Sequence, residues 1–170
     1  TDMLGEQVGT AIDWITRDAM CAGTNVQYAN GKASRSALDA TDKLTVAEIR
    51  KAVRTLKKNK AKMFSVSGKK PHFICICSPD ATYDLQDDAL WKDVSKYSNA
   101  EQVYSGEIGR LFGVVFVEST EAKVYAAGGA SSADVHASLV FGRDAYGVIE
   151  LEGRGNLHTI IKGLGSGGTS

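Results

Sequence analysis

The pattern of apolar and polar residues predicts a long amphipathic helix at the start of the chain. Between Met3 and Ala22 the apolar residues recur at spacings of three and four, which places them on one face of a helix of about five turns. These residues are Leu4, Val8, Ile12, Ile15 and Ala19. Gly23 is expected to end the helix. Trp14 lies off the apolar face, which suggests a contact with another part of the molecule or with another copy.

A polar segment separates this helix from the next one. In residues 24–40, Asn30-Gly31 indicates a turn, and Val26 and Tyr28 indicate a short strand. Gly31-Lys32 does not belong to a phosphate-binding loop, because Val26 and Ala33 stand where such a loop needs a glycine and a Ser or Thr.

A capping pattern predicts a second helix that begins after Thr45. Thr45 can accept a hydrogen bond from the amide of Glu48, and the Glu48 side chain can reach back to Thr45. The helix is expected to run to about residue 62, with lysines and arginines toward its C-terminal end, where cations suit the helix dipole. Its buried stripe is expected to consist of Val46, Ile49, Val53 and Leu56.

Alternating apolar residues predict a buried strand from Phe73 to Cys77. Cys75 and Cys77 share a face with Phe73, so both thiols are expected to lie in the core without a disulfide bond. Ser78-Pro79 then fits the start of a helix, with Ser78 as the cap and Pro79 in the first turn, where its missing amide costs nothing.

A stretch with three glycines, residues 103–119, predicts the centre of the sheet. Glycines 106, 109 and 113 indicate a short amphipathic turn that carries Ile108, Leu111 and Phe112, and the run Val114–Val117 is expected to be a buried strand. A phosphate cradle would need Gly-x-Gly-x-x-Gly between a strand and a following helix. The order is reversed here, so the glycines are interpreted as turn residues.

The remaining pattern completes an alternation of helices and strands. A short helix is expected from Asp88 to Ser98, with Leu90, Trp91, Val94 and Tyr97 on its apolar side. After residues 122–125, a loop is expected at 126–133 and later strands at 135–141, 148–151 and 157–161, followed by a flexible glycine-rich tail. Because strands and short helices alternate from residue 44 onward, we predict an α+β (mixed α/β) domain with helices flanking a central mixed sheet.

Composition places the chain among soluble single domains. Its 170 residues, 43% hydrophobic and 24% charged, suffice for one domain with a real core. No run approaches the roughly 18 apolar residues of a membrane helix, and the N-terminus lacks a signal-peptide pattern. The odd number of cysteines fits a reduced intracellular history better than a disulfide framework.

The net charge of zero hides an uneven distribution. Residues 32–71 hold 12 Lys and Arg against 3 acids, whereas residues 72–170 hold 7 bases and 13 acids. A nucleic-acid binder is usually basic as a whole. We therefore interpret the basic segment as a solvated helix face or as one half of a complementary contact between identical subunits.

No pattern of metal ligands or catalytic residues stands out. Asp84, Asp87 and Asp88 lack the spacing and glycine of a calcium loop, so they are interpreted as helix-capping residues. His72, His136 and His158 are far apart and follow neither a zinc pattern nor a nucleophile elbow. We expect no metal and no cofactor.

Five short motifs follow one another along the chain: Ser78-Pro79-Asp80 after a strand, Trp91-Lys92-Asp93 in a helix, Tyr97-Ser98, Gly106-Glu107-Ile108-Gly109 and the turn from Gly142 to Gly147. Their succession resembles the major capsid proteins of tailed bacteriophages, in a branch of the Hong Kong 97-type fold. The motifs occur in the order typical of that family and cover most of the chain.

The resemblance implies a non-enzymatic, structural role. Identical copies would form hexamers and pentamers of an icosahedral shell around double-stranded DNA, made in the host cytoplasm and located in the virion. Scaffolding and portal proteins would be partners, DNA would be contacted non-specifically at most, and no membrane would be involved. Residues 1–30 would be the long spine-like helix, 31–147 the axial-type domain and 148–170 returning strands and a tail.

The family normally has an N-terminal arm and an extended loop before the spine helix, and further strands after the tail, so the chain is expected to be a fragment. For contacts between subunits we assign residues in the basic helix and in the later motifs: Arg54, Lys57, Lys58, Lys60, Trp91, Tyr97, Glu107 and Arg110. Two alternatives remain at this point. An encapsulin-like compartment shell shares the fold and would enclose a protein cargo, and a small α/β enzyme would need a pocket with convergent titratable groups.

Overall fold

The computed structural model describes residues 2–65, 70–95 and 107–147. In these ranges the helices are α1 (Asp2–Cys21), α2 (Val46–Lys58), α3 (Pro79–Asp87) and α4 (Ala89–Ser95). The strands are β1 (Phe73–Cys77), β2 (Glu107–Leu111), β3 (Val114–Glu118), β4 (Val124–Tyr125), β5 (Val135–His136) and β6 (Leu139–Phe141). The predicted α+β class is confirmed.

Four of these strands form one mixed sheet in the order β2-β3-β1-β6. β1 and β3 are parallel, with Phe73 opposite Val114, whereas β6 is antiparallel to β1 and β2 is antiparallel to β3. β4 and β5 pair separately. The prediction of one continuous strand over residues 135–141 is wrong, because β5 and β6 belong to different sheets.

The residues before β3 form a strand instead of the predicted amphipathic turn. β2 pairs with β3, and only Phe112-Gly113 makes the connection, with φ of 49° and 77°. Positive φ at both positions is the geometry of a two-residue hairpin. The pairing is irregular between Glu107 and Gly109. Gly109 lies beside the indole of Trp91, since a Cβ added to it would be in ordinary contact with Cζ2 at 3.4 Å.

The core lies between the sheet and helices α2, α3 and α4. Phe73, Cys75 and Cys77 are fully buried, as their alternation predicted. Side chains from three helices and two strands pack around Phe73 and Cys75. They are Val46, Ile49 and Val53 of α2, Leu85 of α3, Trp91 of α4, Leu111 of β2, and Val114 and Phe116 of β3. Full burial of one such aliphatic or aromatic side chain stabilises the fold by roughly 1.5–3 kcal/mol. This cluster therefore fixes how the helices sit on the sheet.

The N-terminus of α2 is capped as predicted, but only in one direction. Oγ1 of Thr45 accepts a hydrogen bond from the Glu48 amide at 3.4 Å. The Glu48 carboxylate does not reach back, because it accepts hydrogen bonds from Lys51 and Gln27, both at 2.6 Å. The helix ends at Lys58, earlier than predicted, and Lys60 adopts a left-handed conformation with φ of 57°.

α1 confirms the first predicted helix, but its apolar face is not buried by the described residues. Ile12 is exposed, and Ile15 is 71% exposed. The helix is instead joined to the loop before β4 by polar contacts. The indole N–H of Trp14 donates to the Glu121 carboxylate, and Arg17 donates to the Glu121 carbonyl at 2.8 Å.

The segment between α1 and α2 contains no strand, so the strand predicted at Val26 and Tyr28 is wrong. It forms short 3₁₀ turns at Ala29–Gly31 and Arg35–Ala37. The turn predicted at Asn30-Gly31 is confirmed, since both residues have positive φ. The Asn30 amide donates to the Asp42 carboxylate at 2.6 Å, which holds this turn against the later part of the segment.

Some predictions fall outside the described ranges. These are Tyr97 and the end of its helix, the strands at residues 148–151 and 157–161, and the glycine-rich tail. The division into units at residues 1–30, 31–147 and 148–170 stays a prediction.

Candidate assembly surface

One side of α2 carries a row of exposed cations, which we call the basic stripe: Arg50, Arg54, Lys57 and Lys58. Their spacing places them within an arc of about 100° on the helix. Residues 50–62 contain seven Lys and Arg and no acid. Among the residues that the structure describes, no carboxylate forms an ion pair with any member of the stripe. The stripe therefore presents uncompensated positive charge.

An exposed aromatic side chain lies at the edge of this stripe. Phe112, at the tip of the β2–β3 hairpin, is 46% exposed, and the guanidinium carbon of Arg50 lies 5.2 Å from its ring centroid. A left-handed conformation costs a non-glycine residue roughly 1–2 kcal/mol, and hairpin turns of this type prefer Asn, Asp or Gly. Phe112 thus exposes apolar surface at a conformational cost, which is typical of a residue with a role in recognition.

A surface of opposite charge lies on α3 and α4. Residues 79–93 contain five Asp and one Lys. Asp80, Asp84 and Asp87 follow one another on one side of α3, and Tyr83, between them, is 73% exposed. Leu90 of α4 is also exposed. We call these five residues the acidic surface.

Two of its carboxylates already have partners within the chain. Asp84 pairs with Lys43 at 2.8 Å, and Asp87 pairs with Lys92 at 2.7 Å. The hydrogen bond from Lys92 lowers the pKa of Asp87 below its usual value. Exposed pairs of this kind contribute only about 0–1 kcal/mol, so the carboxylates can exchange partners at little cost.

The acidic surface lies near the N-terminal end of α2, whereas the basic stripe extends from Arg50 to the last turn of the helix. At its N-terminal end the amide of Val46 donates to the Asp88 carboxylate at 3.1 Å, which joins the helix to the α3–α4 corner. The 13 residues of α2 rise by about 20 Å in total. Lys57 and Lys58 are in the last turn, far from that corner. The subunit is therefore polarised along α2.

The residues predicted from the sequence to contact other subunits do not form one surface. Arg54, Lys57, Lys58 and Lys60 are exposed on or just after α2. Trp91 is instead buried in the core, so its assignment to a surface contact is corrected.

Arg110 and Glu107 belong to β2, on another part of the molecule, and Tyr97 is outside the described ranges. The Arg110 guanidinium donates to the carbonyl of Lys70 at 2.7 Å, and its Nε is buried without a hydrogen-bond partner among the described residues. Sequence reasoning missed Phe112, Tyr83 and the acidic surface. The acidic surface could have been found from the spacing of Asp80, Asp84 and Asp87, which repeats that of Arg50, Arg54 and Lys57.

A Ser-His-Asp group at the start of α3 has the composition of a catalytic triad but not its geometry. The Ser78 hydroxyl lies 2.9 Å from Nδ1 of His136, and an Asp80 carboxylate oxygen lies 3.8 Å from the same nitrogen. A triad uses the two ring nitrogens separately, one for the serine and one for the carboxylate. Ser78 is buried, and its oxygen accepts the Ala81 amide at 3.3 Å. The group serves as a helix cap, as predicted for Ser78.

Cys75 and Cys77 are free thiols in the core, as predicted. The hydrogen bond with Cys77 raises the pKa of Cys75, and the burial of Cys75 raises it further. The same hydrogen bond lowers the pKa of Cys77 to about 7 despite burial, and the Thr82 hydroxyl, 3.3 Å from its sulfur, adds to the effect. Both sulfurs lack the access to solvent that a nucleophile needs.

An open cleft of about 350 Å³ lies beside the C-terminal end of α1. Its lining includes Cys21, Asp18 and Lys123. Burial raises the pKa of the Cys21 thiol, and Asp18 and Lys123 neutralise each other at 3.0 Å. The cleft therefore holds no activated nucleophile or free base.

The described residues form neither a metal site nor a membrane-spanning helix. Across the described residues, no cluster of three or more His, Cys, Asp or Glu side chains could hold a metal ion. Within the same ranges, no helix has both the length and the apolar character needed to span a bilayer.

The fold and the surface define a class of protein. The chain is an α+β domain whose prominent exposed groups are charges and apolar side chains on helix faces and a hairpin tip, as in proteins that pack against partners. The chain belongs to the phage capsid protein family, whose model matches residues 11–151.

A solved structure supports this relationship at the level of the fold. The structure titled "Capsid of Ralstonia phage GP4" is similar with a TM-score of 0.55 and 20% sequence identity. The similarity covers 69% of this chain and 36% of that one, so the chain spans about a third of the length of its structural relative. No curated protein matches the sequence.

Proposed function

We propose that this chain forms part of the major capsid protein of a tailed phage or prophage, a structural subunit that assembles into an icosahedral shell around double-stranded DNA. The observation that carries the proposal is membership of the phage capsid family over residues 11–151, most of the domain. The α+β fold, similar to that of the Ralstonia phage capsid, adds support.

The arrangement within the subunit is proposed to be of the Hong Kong 97 type. α1 would be the spine-like helix, residues 31–147 the axial-type domain, and residues 148–170 the returning strands and tail. The exposed apolar face of α1 supports this reading, because a helix with Ile12 and Ile15 in solvent needs a further covering surface.

The partners follow from this role. Copies of the protein would form hexamers and pentamers in the virion after synthesis in the host cytoplasm, with scaffolding and portal proteins as further partners. DNA would be contacted non-specifically at most. The subunit is proposed to perform no chemistry, since the Ser78-His136-Asp80 group lacks the geometry of a triad.

Expression of the gene that encodes this chain tests the proposal. We expect closed, regular shells by electron microscopy and fast sedimentation of the purified protein. Shells that contain a protein cargo and exclude DNA in the phage-producing host would indicate an encapsulin-like compartment instead. Protein that stays monomeric under all ionic conditions would contradict the proposal.

A further inference from the structure

The charged rows on α2 and α3 have matching spacing. Arg50, Arg54 and Lys57 stand at positions i, i+4 and i+7 of α2, and Asp80, Asp84 and Asp87 stand at the same relative positions of α3. Seven residues of helix rise by about 10 Å, so each row presents three like charges over the same length. Two helices laid side by side can therefore pair all three charges at once.

Apolar side chains accompany both rows. Phe112 lies next to Arg50 at the edge of the basic stripe, and Tyr83 and Leu90 belong to the acidic surface. Centres of protein interfaces are enriched in aromatic residues, whereas exposed ion pairs alone bind weakly. Each row thus comes with apolar anchors that an isolated solvated face does not need.

We propose that the basic stripe and Phe112 of one copy dock on the acidic surface of the next copy. The occupant is a second copy of this chain because the two surfaces complement each other in charge and spacing, and among the described residues no ion pair joins them within the subunit. Contact between two different surfaces repeats from subunit to subunit and closes into a ring, whereas a two-fold contact would place like charges together. This inference rests on the proposed function and names the contact within its rings.

Charge reversal with rescue tests the contact in the protein expressed from its gene. Arg54→Glu with Lys57→Glu should lower the yield of shells at least tenfold, because like charges would face each other. Asp80→Arg with Asp87→Arg should do the same. The four substitutions together should restore the yield to within about threefold of the unsubstituted protein, since the pairing is re-formed with opposite sign.

A matched control separates the effect of losing this contact from the effect of changing the net charge. Lys62→Glu with Lys70→Glu makes the same charge change at exposed cations that do not belong to the stripe, and should leave the yield unchanged. Circular dichroism and thermal unfolding of the unassembled subunits show whether each variant folds. If the acidic-surface variant unfolds, the milder Asp80→Asn with Tyr83→Ala replaces it.

Cross-linking gives a second, independent readout. In assembled shells of a variant with Lys57→Cys and Tyr83→Cys, in which the partly exposed Cys21 is also replaced by Ser, a short bis-maleimide should join subunits into covalent ladders. Either introduced cysteine alone should give none, because the contact joins two different surfaces. Cross-linking by Lys57→Cys alone would indicate a two-fold contact and overturn the inference.

The remaining outcomes are distinguishable. If Arg54→Glu with Lys57→Glu forms shells in normal yield but packages less DNA, the stripe contacts DNA and the inference is wrong, while the proposed function stands. If the rescue fails although all variants fold, the acidic surface is not the partner. If the unsubstituted protein forms no shells, the proposed function itself fails.

Discussion

The indole ring of Trp91 packs edge-on against the ring of Phe116, with centroids 5.1 Å apart and an angle of 79° between the planes. This contact joins α4 to the central strand β3, and Gly109 of β2 lies beside the same indole. A tryptophan that the sequence suggested for the surface is thus part of the core. The physical reason is that α4 turns Trp91 toward the sheet, whereas Leu90, which the sequence placed on the same apolar side, stays exposed.

Replacement of Trp91 measures this contact. Trp91→Ala should lower the free energy of unfolding by about 3–5 kcal/mol, because it removes a large buried ring and leaves a cavity. Trp91→Phe should cost less, since an aromatic pair can re-form. Chemical denaturation followed by circular dichroism gives both values. The exposed Tyr83→Ala serves as control and should stay within about 0.5 kcal/mol of the unsubstituted chain.

Gly142 is expected to tolerate no side chain. A Cβ there would lie 2.2 Å from the carbonyl oxygen of Lys62 and 3.1 Å from the Phe73 ring. Gly142→Ala should therefore destabilise the fold by about 1–3 kcal/mol through overpacking. Gly147→Ala is the matched control, because none of the described residues lies within 4 Å of its added Cβ. Equal urea midpoints of unfolding for the two variants would show that the residues around Gly142 can shift to accommodate a methyl group.

Phe112 is expected to be a residue at which stability and assembly conflict. Asn adopts the left-handed conformation more readily than Phe, whereas the substitution also removes the contact with Arg50. The net effect of Phe112→Asn should be a rise of about 0.5 kcal/mol in the free energy of unfolding of the subunit. The same variant should form fewer shells. A loss of subunit stability would mean that Phe112 is held by packing, and that its exposure has no bearing on assembly.

The three cysteines should differ in reactivity. Cys75 and Cys77 are fully buried, whereas Cys21 is partly exposed. A maleimide reagent should modify Cys21 alone in the native protein, and all three in denaturant. The pKa of Cys77, about 7, would favour rapid reaction if the sulfur were accessible. Mass spectrometry that finds Cys77 modified first would contradict its burial.

The attachment of α1 should depend on pH in an acidic range. A hydrogen bond from Arg17, and then one from Lys123, hold the pKa of Asp18 below its ordinary value of 3.8. A lowered carboxyl pKa means that the contact contributes fully above pH 3.8 and is lost as the pH falls through the folded-state pKa. Lys123→Ala should move the Asp18 pKa upward in an NMR titration. Lys92→Ala, at a distant carboxylate, should leave it unchanged.

Local patterns determined much of the fold. The alternation of Phe73, Cys75 and Cys77 defined β1, the Thr45 cap defined the start of α2, and the Ser78-Pro79 pair defined the start of α3. These features depend on neighbouring residues, whose hydrogen bonds and apolar periodicity are visible in the sequence. The uneven charge along the chain was equally visible, because it needs only counting.

Only the tertiary structure decided which surfaces face solvent and which residues meet. The sequence could not show that Trp91 packs on Phe116, or that residues 107–111 pair with β3 as a strand, because strand pairing and burial depend on contacts distant in sequence. It could not place Phe112 beside Arg50, since a hairpin tip and a helix meet only once the core has formed. The acidic surface has the same origin. Asp84 and Asp87 were interpreted from the sequence as helix caps, and only the folded α3 and α4 bring them together with Asp80 and Tyr83 on one charged face.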